Sequence, residues 1–189
     1  MHTIAVAGKV VTNLFYGQAA KKSYFIGCSQ GGRQGIGSAE QHPEDFDGIL
    51  AGSPALDFNN LVSWRASFYP VTGSDRNPEF IRASTWRELI HDEVLRQCDE
   101  LDGLKDGIVE NPAYCQFDPG LLECKPGAFQ NCLTTNQVNE VRRFFSPLTY
   151  DNGTIIYSGM NLGGELRATE RLLSGRPFSD SQVNQHSAS

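Results

Sequence analysis

The 189-residue sequence contains no apolar run approaching the roughly 18–20 residues that a membrane-spanning helix requires. It also lacks any lysine or arginine run, and its formal net charge is −6. A mildly acidic chain without a basic stripe does not carry the electrostatic footprint of a nucleic-acid binder. The start, Met1-His2-Thr3, leads into a segment holding Gly8, Lys9 and Asn13 rather than the continuous apolar stretch of a secretory signal. No C-x-x-C pair, and so no zinc knuckle, is present, nor is any internal repeat. What remains is an ordinary globular profile with 39% hydrophobic residues, enough for one good core or one and a half domains.

Against that background one stretch stands out. The apolar run Tyr24-Phe25-Ile26 leads directly into Gly27-Cys28-Ser29-Gln30-Gly31, which has the G-x-S-x-G spacing of a nucleophile elbow. A serine hydroxyl becomes a useful nucleophile when a strained turn holds it exposed, within reach of a general base. Small flanking residues let the strand and the following helix pass close to that turn. A glycine-rich strand-to-helix turn with an incidental serine is the competing reading of the pentapeptide.

The surrounding pattern supports a βαβ unit. Ala7, Val10, Val11, Leu14 and Phe15 fall at helical spacing, predicting a helix over 3–16 that Gly17 ends. A strand over 23–27, a helix over 30–41 and a strand over 47–52 follow. Such a unit implies a parallel sheet, and strands without alternation suggest helices covering both faces. After Gly52-Ser53-Pro54 the chain becomes richer in aromatics, prolines and cysteines. Ser84 is placed to cap a helix with Trp86, Leu89, Ile90 and Val94 on its face. Thr134 and Gln137 make a capping box for a helix bearing Val138, Val141 and Phe145, stopped by Pro147. The division expected is 1–59, 60–166 and a frayed tail over 167–189.

Four of the five cysteines, Cys98, Cys115, Cys124 and Cys132, cluster in a loop-rich segment, which suggests disulfides and an oxidising compartment. Four cysteines allow three connectivities; proximity favours Cys98–Cys115 and Cys124–Cys132. Cys28 is then left without a partner in the chain. Within the first of these loops, Asp99, Asp102 and Asp106 can turn carboxylates toward one point, with backbone carbonyls from Leu104 and Ile108. That oxygen-rich set suits calcium, although it is not an EF-hand, and a solvated acidic turn is the alternative.

Taken together, these residues resemble the tannase and feruloyl esterase family of serine carboxylesterases. The resemblance runs from about Ala5 to about Glu165. It rests on Phe25-Ile26-Gly27-Cys28-Ser29-Gln30-Gly31-Gly32-Arg33-Gln34-Gly35, on His42-Pro43-Glu44-Asp45-Phe46-Asp47-Gly48-Ile49 and on Ala51-Gly52-Ser53-Pro54-Ala55. It continues through Gln97-Cys98-Asp99-Glu100-Leu101-Asp102-Gly103, Asp106-Gly107-Ile108 and Cys132-Leu133-Thr134 with Gln137.

The resemblance implies an α/β fold, here a partial α/β-hydrolase core plus a disulfide-stapled lid domain. It implies Ser29 as the acylated nucleophile, the Gln30 N–H as an oxyanion donor and a lid loop that binds Ca2+. By the same analogy Cys28 pairs with a cysteine outside this chain, beside the catalytic histidine, and the protein is secreted. The substrate implied is an aromatic carboxylic ester, a feruloylated polysaccharide or a gallate ester. The family's catalytic aspartate and histidine lie downstream of the lid, so the chain reads as an internal fragment that lacks turnover by itself. A non-catalytic calcium-stabilised module and a truncated product are the alternatives.

The chain's own histidines do not supply a base in this reading. Helical rise of about 1.5 Å per residue puts His42 roughly 18 Å from Ser29, far beyond proton-transfer reach. His91 falls off the apolar face of its helix and is expected to face solvent, while His2 and His186 sit near the chain ends.

Overall fold

A computed structural model describes residues 1–169 together with Leu173. The chain divides into two compact units, Met1–Phe58 and Asn59–Ser189.

In the first unit, helix α1 (His2–Tyr16) ends at Gly17, whose φ of 69° is the left-handed conformation that glycine adopts without strain. Strand β1 (Tyr24–Cys28), helix α2 (Gln30–Gln41) and strand β2 (Gly48–Gly52) complete the βαβ unit. The strands pair in parallel, with Tyr24 opposite Gly48 and Cys28 opposite Gly52. Successive strand side chains point to opposite faces, and among the described residues α2 covers one of them. Phe25 and Ile49 meet α2 at Gly35, where an added Cβ would lie 3.0–3.1 Å from both side chains. On the other face Tyr24, Ile26 and Leu50 are exposed. Among the described residues, helix packs against one of the two faces expected to be covered.

Helix α1 forms where its spacing predicts. Its apolar stripe of Val10, Val11, Leu14 and Phe15 points to solvent, Phe15 being 80% exposed. The half-buried side of α1 instead carries His2, Ala5, Lys9 and Thr12, with His2 bonded to Asp45 in the short turn Pro43–Asp45. Periodicity identified the helix but not the side that packs.

The second unit holds a continuous hydrophobic core. Helices α3 (Phe58–Ala66) and α4 (Phe68–Thr72) are followed by a helical run. It comprises α5 (Ala83–Thr85), a π turn (Trp86–Ile90) and α6 (His91–Cys98). The run starts at Ala83, preceded by Arg82, so Ser84 lies inside it rather than capping it. Helix α7 (Thr135–Phe145) opens on the expected capping box: Thr134 Oγ1 accepts the Gln137 N–H, and Gln137 Oε1 accepts the Thr134 N–H. Its innermost aromatic is Phe144, whose ring centroid lies 4.6 Å from Trp86 and 5.0 Å from Phe68. Phe145 packs at the margin of the core, edge-on to Phe117.

A small antiparallel pair, β3 (Leu148–Thr149) and β4 (Ile155–Tyr157), closes the strand inventory among the described residues. Helix α8 (Glu165–Thr169) then places Ala168 in the core, where Leu173 joins it. Packed structure thus continues past residue 167, where the tail was expected to begin; its remainder lies outside the described residues. Both disulfides, Cys98–Cys115 and Cys124–Cys132, are formed, with Cα atoms 5.5 and 4.9 Å apart.

Candidate active site

Ser29 lies on the turn between β1 and α2 with φ 59° and ψ −113°, a conformation costly for any residue bearing a Cβ. Its backbone is tied on both sides. The Ser29 N–H donates to the Gly52 carbonyl at 3.0 Å, and its own carbonyl accepts from the Arg33 N–H at 3.0 Å and the Ala55 N–H at 3.4 Å. The segment that buttresses it is itself strained, since Ser53 has φ 39°. Two tight turns therefore brace each other across the ends of β1 and β2.

The steric need for glycine falls at particular positions. A Cβ on Gly27 would sit 2.6 Å from the Gly31 carbonyl carbon, and one on Gly32 would sit 2.4 Å from the Gly52 oxygen. Gly31 itself faces open space. The spacing argument singled out Gly27 and Gly31, whereas the close approach is made by Gly27 and Gly32. In the pentapeptide the second glycine contributes backbone, not room for its own side chain.

Ser29, Cys28 and Gln30 are all exposed, and Cys28 is a free thiol. Gln30 is the first residue of α2, so its N–H is one of the helix-start donors without an intrahelical acceptor. No imidazole hydrogen-bonds Ser29 among the described residues. His2 Nδ1 lies 2.9 Å from Asp45 Oδ1, and His42 Nδ1 lies 3.6 Å from Glu44 Oε1. His186 falls outside the described residues.

His91 is not the solvent-facing residue expected. Its Nδ1 lies 2.5 Å from Oε1 of the fully buried Glu165, whose other oxygen accepts the Gly163 N–H at 2.8 Å. The helical spacing of α6 shows which residues leave its apolar face. It cannot show that a carboxylate from residue 165 comes to meet one of them.

In the second unit the acidic loop is organised by its own aspartates. Asp99 is buried, and its carboxylate accepts N–H bonds from Asp106 and Gly107. Asp102 Oδ1 accepts from the Leu104 N–H and Asp106 Oδ1 from the Ile108 N–H. A carboxylate has about four acceptor positions, so these bonds leave Asp102, Asp106 and the Leu104 and Ile108 carbonyls with capacity for a hard cation.

Two further features of this unit escaped the sequence reading. A cleft of about 780 Å³ is lined by Phe117, Phe145, Met160, Arg142 and Asn161, among others. On α7, Glu140 keeps Oε1 buried without a hydrogen-bond partner among the described residues. Burial pushes its carboxyl up to about 8, with Glu79 adding to the shift and Arg143 opposing it. Nothing in the local sequence around residue 140 marks it, because the burial that mainly raises it, like the lesser charge of Glu79, comes from the fold.

A parallel strand pair joined through a helix, with a strained and exposed serine between strand and helix, defines the kind of turn on which hydrolases carry a nucleophile. The sequence model described as tannase and feruloyl esterase matches residues 1–182, and the chain belongs to that family. A relative described as a probable feruloyl esterase B-2 from Aspergillus flavus is 53% identical over 178 residues, covering 94% of this chain and 34% of its own length. A probable feruloyl esterase B from Aspergillus clavatus is 48% identical over 180 residues, with the same coverage. Among solved structures, feruloyl esterase B from Aspergillus oryzae superposes with a TM-score of 0.88 at 43% identity, over 96% of this chain and 37% of that one. The chain thus spans about a third of the length of the curated relatives it matches.

Proposed function

We propose that this chain carries the nucleophile and most of the lid of a secreted serine carboxylic ester hydrolase acting on feruloyl or galloyl esters. The observation that supports it most directly is Ser29: a non-glycine residue at φ 59°, exposed, at the N-terminus of a helix. In this reading the first unit belongs to an α/β-hydrolase core. Ser29 Oγ attacks the ester carbonyl while a histidine takes its proton, and an acyl-serine ester forms as the alcohol leaves. The Gln30 N–H, one of the donors at the helix start, would stabilise the developing oxyanion, and water then releases the aromatic acid. Cys28 forms its disulfide with a cysteine beside that histidine.

Because no imidazole bonds Ser29 among the described residues, the 189-residue chain is expected to show no turnover of methyl ferulate by itself. A polypeptide carrying this segment at the length of the relatives should hydrolyse it and lose that activity in Ser29→Ala. Activity retained in Ser29→Ala, or robust hydrolysis by the 189-residue chain, overturns this reading.

The acidic loop fits calcium by its donor set, all hard oxygens, and by a buried carboxylate at Asp99 that already draws the loop together. Asp99, Asp102 and Asp106, with the Leu104 and Ile108 carbonyls, would hold the ion. It would fix the loop beside the Cys98–Cys115 bridge and take no part in ester cleavage. Calcium should raise the melting temperature of the parent and leave that of Asp102→Ala unchanged; equal behaviour of the two proteins removes the metal from the loop.

A further inference from the structure

The histidines of the first unit are placed with a chemistry that ester hydrolysis does not use. His2, His42 and Glu44 each bring one ligand-capable atom into a cluster whose members all lie within 4.8 Å of one another. His2 comes from the first turn of α1, His42 from the residue that ends α2, and Glu44 from the short turn that follows.

We propose that this cluster binds a divalent transition-metal cation of the zinc class. Imidazole nitrogens with a carboxylate suit such borderline ions, whereas calcium prefers the all-oxygen loop of the second unit. The supporting shell is already built. Asp45, 2% exposed, faces His2 Nδ1 with both oxygens, at 2.9 and 3.1 Å. An ionised carboxylate there accepts the Nδ1–H, which leaves Nε2 of His2 with its lone pair free. This carboxylate–histidine arrangement orients metal-ligating imidazoles and raises their basicity.

The charges favour a dication as well. Glu44 and Asp45 offer two carboxylates to two imidazoles, and the cation approaching them, Lys9, bonds the Glu44 carbonyl at 3.4 Å rather than either carboxylate. The two rings are stacked, with centroids 4.0 Å apart and planes 17° from parallel. Stacked imidazoles direct their in-plane lone pairs side by side, so one ring must turn for both to meet an ion. His42, 37% exposed, and Glu44, 66% exposed, have room to do so.

The test is calorimetric titration of zinc into the 189-residue chain near neutral pH, with excess calcium present and Cys28→Ser in the background to remove the free thiol. One zinc per chain is expected, with affinity reduced roughly tenfold or more in His42→Ala and several-fold in Glu44→Gln. His186→Ala should leave it unchanged. Binding should weaken at mildly acidic pH as protons compete for imidazole nitrogen. Both diagnostic changes are on exposed or half-exposed side chains, so loss of fold does not stand in for loss of binding. No uptake up to submillimolar zinc, or equal affinity in parent, His42→Ala and Glu44→Gln, overturns the proposal.

Discussion

The two units bury different things. In the second unit Phe68, Trp86, Ile90, Val141 and Phe144 are all 2% exposed or less and form one cluster. In the first unit the buried residues are Gly32, Gly35, Ser38 and Asp45, while its large apolar side chains Phe15, Tyr24, Ile26 and Leu50, from the first helix and the strands, are exposed. One unit is stabilised by apolar volume, the other is defined by close backbone approach. A strained turn can therefore be specified by glycines and three hydrogen bonds without a hydrophobic core beneath it, but its stability must come from elsewhere.

The contrast can be tested by substitution, with the largest effect expected in the second unit. Trp86→Ala empties the centre of the aromatic cluster and should cost about 3–5 kcal/mol in urea denaturation, as large-to-small core changes do. Leu14→Gln on α1, an exposed position, should stay within about 0.5 kcal/mol. Similar costs for the two would erase the distinction. Removing the Cys98–Cys115 bridge by paired serine substitutions should lower stability by roughly 3 kcal/mol in the chain-entropy account of such loops. An unchanged denaturation midpoint would mean that the core alone holds that loop.

In the first unit, Gly32→Ala forces a Cβ against the Gly52 oxygen and should cost about 1–3 kcal/mol, the range of overpacked sites. Gly31→Ala, with open space around it, should cost far less. Amide hydrogen exchange across β1 and α2 would distinguish them, and the reverse order would overturn the assignment of the close contact.

A pH-dependent effect concerns Glu140. Its folded pKa of about 8 lies above the unfolded value of 4.5, so across that window the folded chain keeps a proton that the unfolded chain has released. Stability should therefore fall as pH rises through the window, and the loss is complete above the folded value. Glu140→Gln should remove this slope and stabilise by about 1 kcal/mol at the alkaline end, after allowance for the solvent that Glu140 still meets. Parallel pH–stability profiles for parent and variant would place the burial penalty on another group.

How much of this could be read in advance depends on distance along the chain. The strand–turn–helix at Ser29, the capping box at Thr134 and the disulfides Cys98–Cys115 and Cys124–Cys132 all join residues close in sequence, and local patterns carried them. The outward stripe of α1, the choice of Phe144 over Phe145 and the His91–Glu165 contact depend on what packs from far away. Periodicity marks a face but does not name its partner. The Gly31 and Gly32 assignment failed differently, because the crowding at Gly32 comes from the end of β2, twenty residues later.

The two disulfide loops, 98–115 and 124–132, neither nest nor cross. As the chain emerges during synthesis, each second cysteine of a pair meets its correct partner as the nearest preceding thiol. Strictly sequential oxidation within this segment thus yields the native pairing without reshuffling, and Cys28 is seventy residues away from the first of them. Oxidative formation of these two bridges should accordingly place little demand on a disulfide isomerase, with the thiol beside Ser29 taking no part in either.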